Sequence, residues 1–82
     1  MRYDVQFKPR AVKDIRSMPP RIQSRVLVKI EQMSSDLKGD VKRLTSFTHE
    51  YRLRVGDYRV LFEIEGQSII VYRVCHRREA YR

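Results

Sequence analysis

With 82 residues, the chain has room for one domain, 1–82, whose small core buries about 60–65% of the unfolded surface. Eighteen Lys and Arg against ten Asp and Glu leave a net charge of +8, which points to nucleic acid, an acidic protein or an anionic membrane as partner. Membrane insertion is excluded on pattern, because no apolar run reaches spanning length and no signal-peptide core follows the N-terminus. The single cysteine, Cys75, leaves no intrachain disulfide, and two histidines far apart in sequence give no zinc spacing. The composition predicts a cytoplasmic globule with no metal and no cofactor.

Tyr3, Val5 and Phe7 alternate with polar residues and predict a first strand that ends at Pro9. Ala11, Val12, Ile15 and Met18 recur at helical spacing, and the Pro19-Pro20 pair stops that helix and opens the next. The second helix carries Ile22, Val26, Ile30, Met33 and Leu37 on one stripe, so the two segments form a helical hairpin. Gly39 and Asp40 break the pattern, and 41–48 reads as an irregular connection. Three strands follow near His49–Val55, Tyr58–Ile64 and Ser68–Cys75, and 76–82 is a short polar tail. The predicted class is α+β: an N-terminal strand, a helical hairpin and a three-stranded meander, forming one antiparallel-rich sheet with helices on one face and the other face open.

The first hairpin of the meander is the most informative part. Gly56 at the first central position suits a type II′ turn, which pairs Val55 with Tyr58, Arg54 with Arg59, Leu53 with Val60, Arg52 with Leu61 and Tyr51 with Phe62. Tyr51, Leu53, Val55, Tyr58, Val60 and Phe62 then face the core, and Arg52, Arg54, Arg59, Leu61 and Glu63 face away. Like charges directly opposite on a ladder are unfavourable by about 0.2–1 kcal/mol. A pattern chosen for stability alone would set an acid at one of the two positions. A solvated arginine face or a dock for an acidic partner is the alternative to an anion site.

The segment Val71-Tyr72-Arg73-Val74-Cys75-His76-Arg77-Arg78-Glu79-Ala80-Tyr81-Arg82 brings one histidine, four arginines and two tyrosines to the end of the last strand. Guanidinium groups take phosphate oxygens bidentately and phenol rings stack on unpaired bases, a combination that suits RNA. Arg73 shares a face with core-facing Val71 by strict alternation, which implies a bulge or an edge position.

With Tyr51-Arg52-Leu53-Arg54-Val55-Gly56-Asp57-Tyr58-Arg59-Val60 and Val74-Cys75-His76-Arg77-Arg78-Glu79-Ala80-Tyr81-Arg82 in this order, the chain resembles the RelE/ParE toxin superfamily, and within it the RelE-like mRNA interferases. The resemblance implies the RelE-like microbial ribonuclease fold. It also implies a ribosome-dependent endoribonuclease that cuts mRNA in the ribosomal A site by attack of the RNA's own 2′-OH, inhibiting translation. Arg52 and Arg54 match the family's basic strand positions, Arg59 its phosphate-contacting arginine, Arg77 the arginine after the last strand, and Tyr81 its near-terminal tyrosine. Some members carry lysines where Arg52 and Arg54 stand, and a glycine is usual at the position of Cys75.

Those departures bear on mechanism. Arginine stabilises a charged phosphorane but stays protonated, whereas lysine can act as a base when its pKa falls. The expected catalytic set is Arg54, Arg59, Arg77, Tyr81 and His76, with Arg52, Arg78 and Arg82 binding RNA. His76 is the leading titratable group, against a plain strand-end role. His49 and Glu50 form a second candidate pair, against loop residues. The implied partners are the ribosome, mRNA and a partly disordered acidic RelB-like antitoxin in a hetero-oligomer. Two other readings stay open: a ParE-like inhibitor of DNA gyrase, and a non-catalytic basic RNA-binding module.

Overall fold

In a computed structural model of the chain, which describes residues 1–44 and 49–80, the elements run β1 (Asp4–Phe7), α1 (Pro9–Arg16), α2 (Pro20–Met33), β2 (Asp40–Arg43), β3 (Tyr51–Val55), β4 (Tyr58–Glu65) and β5 (Ser68–His76). One five-stranded sheet has the order β1-β5-β4-β3-β2. β1 lies parallel to β5 and every other neighbour is antiparallel. The α+β expectation holds. Pro9 ends the first strand as expected, and it also opens α1, as Pro20 opens α2; at the first helical turn a missing N–H leaves nothing unsatisfied.

Helix α1 buries Ala11 and Ile15, and α2 buries Val26, Ile30 and Met33. These meet Leu53, Val55, Val60, Phe62, Ile69, Val71 and Val74 from the sheet to form the main core. The apolar stripe of α2 was expected to run to Leu37, but the helix ends at Met33. The buried Ser34 hydroxyl donates to the Glu31 carbonyl at 2.6 Å, the Tyr3 amide donates to the Ser34 carbonyl at 2.7 Å, and the N-terminal amine pairs with Asp36. Asp36 and Leu37 then both take positive φ, 59° and 57°, a left-handed turn that no helix continues through. Leu37 still packs on the core from the turn.

The expected irregular connection at 41–48 is corrected over its first part. Asp40–Arg43 forms β2 and pairs with β3 in the register Asp40↔Arg54, Val41↔Leu53, Lys42↔Arg52 and Arg43↔Tyr51; residues 45–48 lie outside the described part. The outer face is also less bare than expected. Leu61, Cys75 and Ala80 are buried there together, with Leu44 against them, so the start of the predicted polar tail folds back as a lid over a second, small apolar cluster.

The bulge foreseen near Arg73 is present. Leu61 pairs with Arg73 and Phe62 with Val71, leaving Tyr72 as the extra residue and returning Arg73 to the face of Leu61. Beyond Val71, β5 no longer has β1 beside it, and α1 takes over that edge. Asp14 accepts from the Val74 amide at 3.0 Å and from Arg73 Nε at 2.8 Å, and Arg10 Nε donates to its other oxygen at 3.2 Å. Burial pushes the Asp14 carboxyl up, but the bonds from Arg73, Val74 and Arg10 together outweigh it and hold the group below the usual aspartate value near 3.8.

Replacing Asp14 with Ala leaves a half-buried guanidinium and a strand amide without their acceptor, a loss of about 2–3 kcal/mol at neutral pH. Because the folded pKa is depressed, this contribution is complete above the unfolded value and disappears as pH falls through the folded one. Urea denaturation of the wild type and Asp14→Ala should therefore differ at pH 7 and converge in acid.

Candidate nucleic-acid interface

The site begins at the turn between β3 and β4. Gly56 has φ +57°, the left-handed region that glycine occupies without strain, and the hairpin register is the one the sequence implies, from Val55↔Tyr58 to Tyr51↔Phe62. Arg25 of α2 lies against the turn, its Nη1 3.2 Å from where a Cβ on Gly56 would stand. Arg59 Nη1 donates to the carbonyls of Gly56 at 2.9 Å and Tyr58 at 3.0 Å. The arginines at the hairpin are thus built into the turn as well as displayed by it.

Across the outer face, Asp40, Arg54, Arg59 and Cys75 lie in one row over four neighbouring strands. The unrelieved Arg54/Arg59 repulsion read from the sequence is thereby corrected: the missing acid is Asp40, on the strand that the sequence did not reveal. Its Oδ2 lies 4.0 Å from Arg54 Nη1. Arg52 Nη1 donates to the Asp40 carbonyl at 2.8 Å and to its Oδ1 at 3.1 Å. The Arg52 side chain is only 15% exposed, against 56% for Arg54 and 58% for Arg77. Arg52 is a held cation, whereas Arg54 and Arg77 are presented to solvent.

The Arg77 amide donates to the Asp57 carbonyl at 2.7 Å and extends the ladder one residue past β5. Its side chain lies 3.9 Å from Asp57 Oδ1. Alternation from Cys75 puts Arg77 on the same face as Arg54 and Arg59. His76 goes the other way: it pairs with Tyr58, with ring centroids 5.6 Å apart edge to face. Its Nδ1 accepts from the Arg78 amide at 3.3 Å, so the neutral ring carries its proton on Nε2. Arg78 is exposed. Tyr81 and Arg82 lie outside the described residues.

His49 is drawn to Glu63 and not to Glu50. Its Nδ1 is 3.4 Å from Glu63 Oε2, and its ring stacks on Tyr72 at 4.7 Å. Glu50 contributes its carbonyl to the Leu44 amide at 2.7 Å. Sequence reasoning missed this cluster because Tyr72 reaches it as the bulged residue. Burial, then Glu63 and Glu65, pushes the Tyr72 phenol up. Burial likewise pushes the Cys75 thiol up, which makes it a poor nucleophile. Among the described residues, no three His, Cys, Asp or Glu side chains converge as a metal site, and no helix is long and apolar enough to cross a membrane. A cavity of about 340 Å³ opens where α1 meets β5, with Tyr58, His76, Arg73, Asp14 and Glu79 in its walls.

Exposed guanidinium groups on β3 and past the end of β5, with Arg59 of β4 between them turned onto the carbonyls of its own turn, make a fixed positive surface. The profile of the family described as ParE toxin of type II toxin-antitoxin system, parDE, matches residues 5–81, and the chain belongs to that family. It is 38% identical to Toxin RelE3 of Methanocaldococcus jannaschii, over 94% of this chain and 93% of the relative. Among the similar solved structures are two antitoxin-toxin complexes. In the RelB-RelE antitoxin-toxin complex from Methanococcus jannaschii the TM-score is 0.73 at 35% identity, covering 89% of this chain and 91% of that one. In the toxin-antitoxin complex RelBE2 from Mycobacterium tuberculosis it is 0.79 at 28% identity, covering 94% and 100%. The chain is a type II toxin of the RelE kind.

A side chain at position 56 would meet both an unfavourable φ and the Arg25 guanidinium. Gly56→Ala is expected to lose about 1–2 kcal/mol, which thermal denaturation would read as a drop in Tm of about 4–8 °C per kcal/mol.

Proposed function

We propose that this toxin is a ribosome-dependent endoribonuclease that cuts mRNA in the A site and is restrained by a RelB-like acidic antitoxin. The observation that carries the reading is the juxtaposition of Arg54 and Arg59 as cross-strand partners with Arg77 hydrogen-bonded to the turn beside them. In the proposed reaction the 2′-oxygen of one nucleotide attacks the phosphorus that follows it, the bond from phosphorus to the 5′-oxygen breaks, and a cyclic phosphate and a free 5′-OH remain. The 2′-hydroxyl loses a proton and the departing 5′-oxygen gains one.

Arg54, Arg59 and Arg77 supply positive charge where the phosphorane gathers its negative charge, the role in which fixed donors act most strongly. They cannot take the proton. Tyr81 orients the nucleophile or stacks on a base, Arg78 and Arg82 extend the contact to RNA phosphates, and Arg52, tied to Asp40, adds its charge to the RNA-binding surface. His76 is the titratable member. Its ring lies on the Tyr58 side of β5, so it takes part when the RNA crosses the strand end and reaches both faces.

The relatives solved as antitoxin-toxin complexes support a RelB-like partner, as does the net charge of +8, which favours an acidic one. An apolar groove of about 200 Å³, lined by Phe7, Val12, Ile15, Arg16 and Leu27, leaves Phe7 and Leu27 36% and 43% exposed and offers a partner helix its apolar seat. The ParE name of the matching family favours one second reading, inhibition of DNA gyrase without cleavage.

Toeprinting of a defined mRNA on programmed ribosomes separates the two. The wild type should cut in the A site, and Arg59→Ala should slow the cut by about 10²–10³-fold; a wild type that leaves mRNA intact but inhibits gyrase supercoiling would reverse the assignment. His76→Gln with an unchanged pH profile of cleavage would remove His76 from the mechanism. A salt titration of single-stranded RNA binding gives an independent check. Each phosphate neutralised contributes about −0.7 to the slope of log K on log salt, so Arg54→Ala should flatten the slope by about that amount.

A further inference from the structure

Attack by a 2′-hydroxyl needs a proton acceptor on the face that carries the guanidinium groups, and arginine cannot be that acceptor. The titratable side chains among the described residues divide by place. His76 lies on the Tyr58 side of β5, and His49 is engaged by Glu63 and Tyr72. Asp14 is occupied by Arg73, Arg10 and the Val74 amide, and burial pushes the Cys75 thiol up. Two carboxylates lie beside exposed guanidinium groups: Asp40 near Arg54 and Asp57 near Arg77.

These two are held differently. Asp57 sits on the hairpin turn, 67% exposed, and among the described residues its carboxylate has one cationic neighbour, Arg77 Nε at 3.9 Å. Asp40 is anchored. Arg52 Nη1 donates to its carbonyl at 2.8 Å and to its Oδ1 at 3.1 Å, and the Arg52 side chain is itself largely covered. With one oxygen fixed, the other is aimed: Oδ2 lies 4.0 Å from Arg54 Nη1, beyond hydrogen-bond length.

We propose that Asp40 is the general base of the ribonuclease reaction, with Arg52 as the residue that positions it; the assignment rests on the ribonuclease reading above. Asp40 Oδ2 takes the proton of the 2′-hydroxyl as the 2′-oxygen bonds to phosphorus. The bond from phosphorus to the 5′-oxygen breaks, the 5′-oxygen takes a proton from solvent, and Asp40 returns its own to solvent. When Arg54 donates to a phosphate oxygen at about 2.8 Å, a carboxylate 4.0 Å from the same nitrogen is placed for the 2′-hydroxyl that adjoins that phosphate. The exposed pair between Asp40 and Arg54 is weak enough for phosphate to displace. A base oriented by a further group behind it is the arrangement that activates hydroxyl nucleophiles elsewhere, and it gives Arg52 a use besides its charge.

The test is single-turnover cleavage of a defined mRNA on programmed ribosomes, paired with single-stranded RNA binding by the isolated protein. Asp40→Asn keeps an acceptor for Arg52 but loses the base, and should slow the cut by about 10²–10⁴-fold. RNA binding should hold or tighten, because an anion has left the basic face. Asp57→Asn, which removes the same charge from the turn, should cut within a few-fold of the wild type. Formate added to Asp40→Ala should restore part of the lost rate and leave Arg59→Ala unchanged. Cleavage by Asp40→Asn at the wild-type rate, a loss that weaker RNA binding or a lower Tm accounts for, an equal loss in Asp57→Asn, or no restoration by formate would each overturn the role of Asp40 while leaving the ribonuclease reading in place. A wild type that leaves mRNA intact would sink that reading, and the base with it.

Discussion

The register of the β3–β4 hairpin is the constraint on which both the core and the basic face depend. Side chains alternate with a period of two, so a slip of one residue would carry Leu53, Val60 and Phe62, all essentially fully buried, to solvent and drive arginines under the helices. Each large apolar side chain contributes about 1.5–3 kcal/mol by its burial, and a slipped register would lose several at once. The turn that fixes this register is itself held by cations. Arg59 binds the Gly56 carbonyl and Arg25 closes on the glycine from α2. The positive φ of Gly56 favours a residue without a side chain, and a Cβ there would crowd the Arg25 guanidinium.

Charge on this small domain is apportioned by edge strands and helix ends. Asp40 on the edge strand β2 holds Arg52 and approaches Arg54, Asp14 holds Arg73 against the edge of β5, and Glu31 takes Arg2. Of these acids Asp40 is the one that borders the basic hairpin, and from the edge strand it relieves repulsion there without neutralising the surface. Arg54 and Arg77 keep loose acidic neighbours at 4.0 and 3.9 Å. At that separation and exposure an ion pair is worth little, and a phosphate that brings two or more oxygens can displace it.

How far the sequence reached can be judged element by element. The hairpin was legible because Gly56 and strict alternation over Tyr51–Phe62 specify one register, and the helices because their apolar stripes mark faces and the Pro19-Pro20 pair marks the break between them. β2 was not legible: Asp-Val-Lys-Arg has a single apolar residue, and its strand character comes from pairing with β3, a tertiary effect that local pattern does not carry. The end of α2 was misplaced for a similar reason, since Leu37 keeps helical spacing while the N-terminus, far away in sequence, turns the chain at Asp36. In the site, the alternation that grouped Arg54 with Arg59 was sufficient, but the same rule applied across β5 required the bulge at Tyr72. That extra residue decides that Arg73 returns to the outer face and that His76 leaves it.

The bulge also explains why groups of different chemistry gather at one strand end. Below it, β5 is a core strand flanked by β1 and β4; above it, the strand has α1 on one edge, with Arg73 and Cys75 on the outer face and Val74 and His76 on the other. Arg77 continues the face of Cys75 and Arg59, and His76 the face of Tyr58. Successive residues of a strand are about 3.4 Å apart along its axis, so a polyanion laid across this end meets a guanidinium on one face and an imidazole with a phenol on the other within the length of one nucleotide. A flat basic sheet binds backbone phosphate with no regard to base. A strand end that turns different side chains to its two faces adds contacts of another kind, and the alternation of a single strand is enough to couple the two.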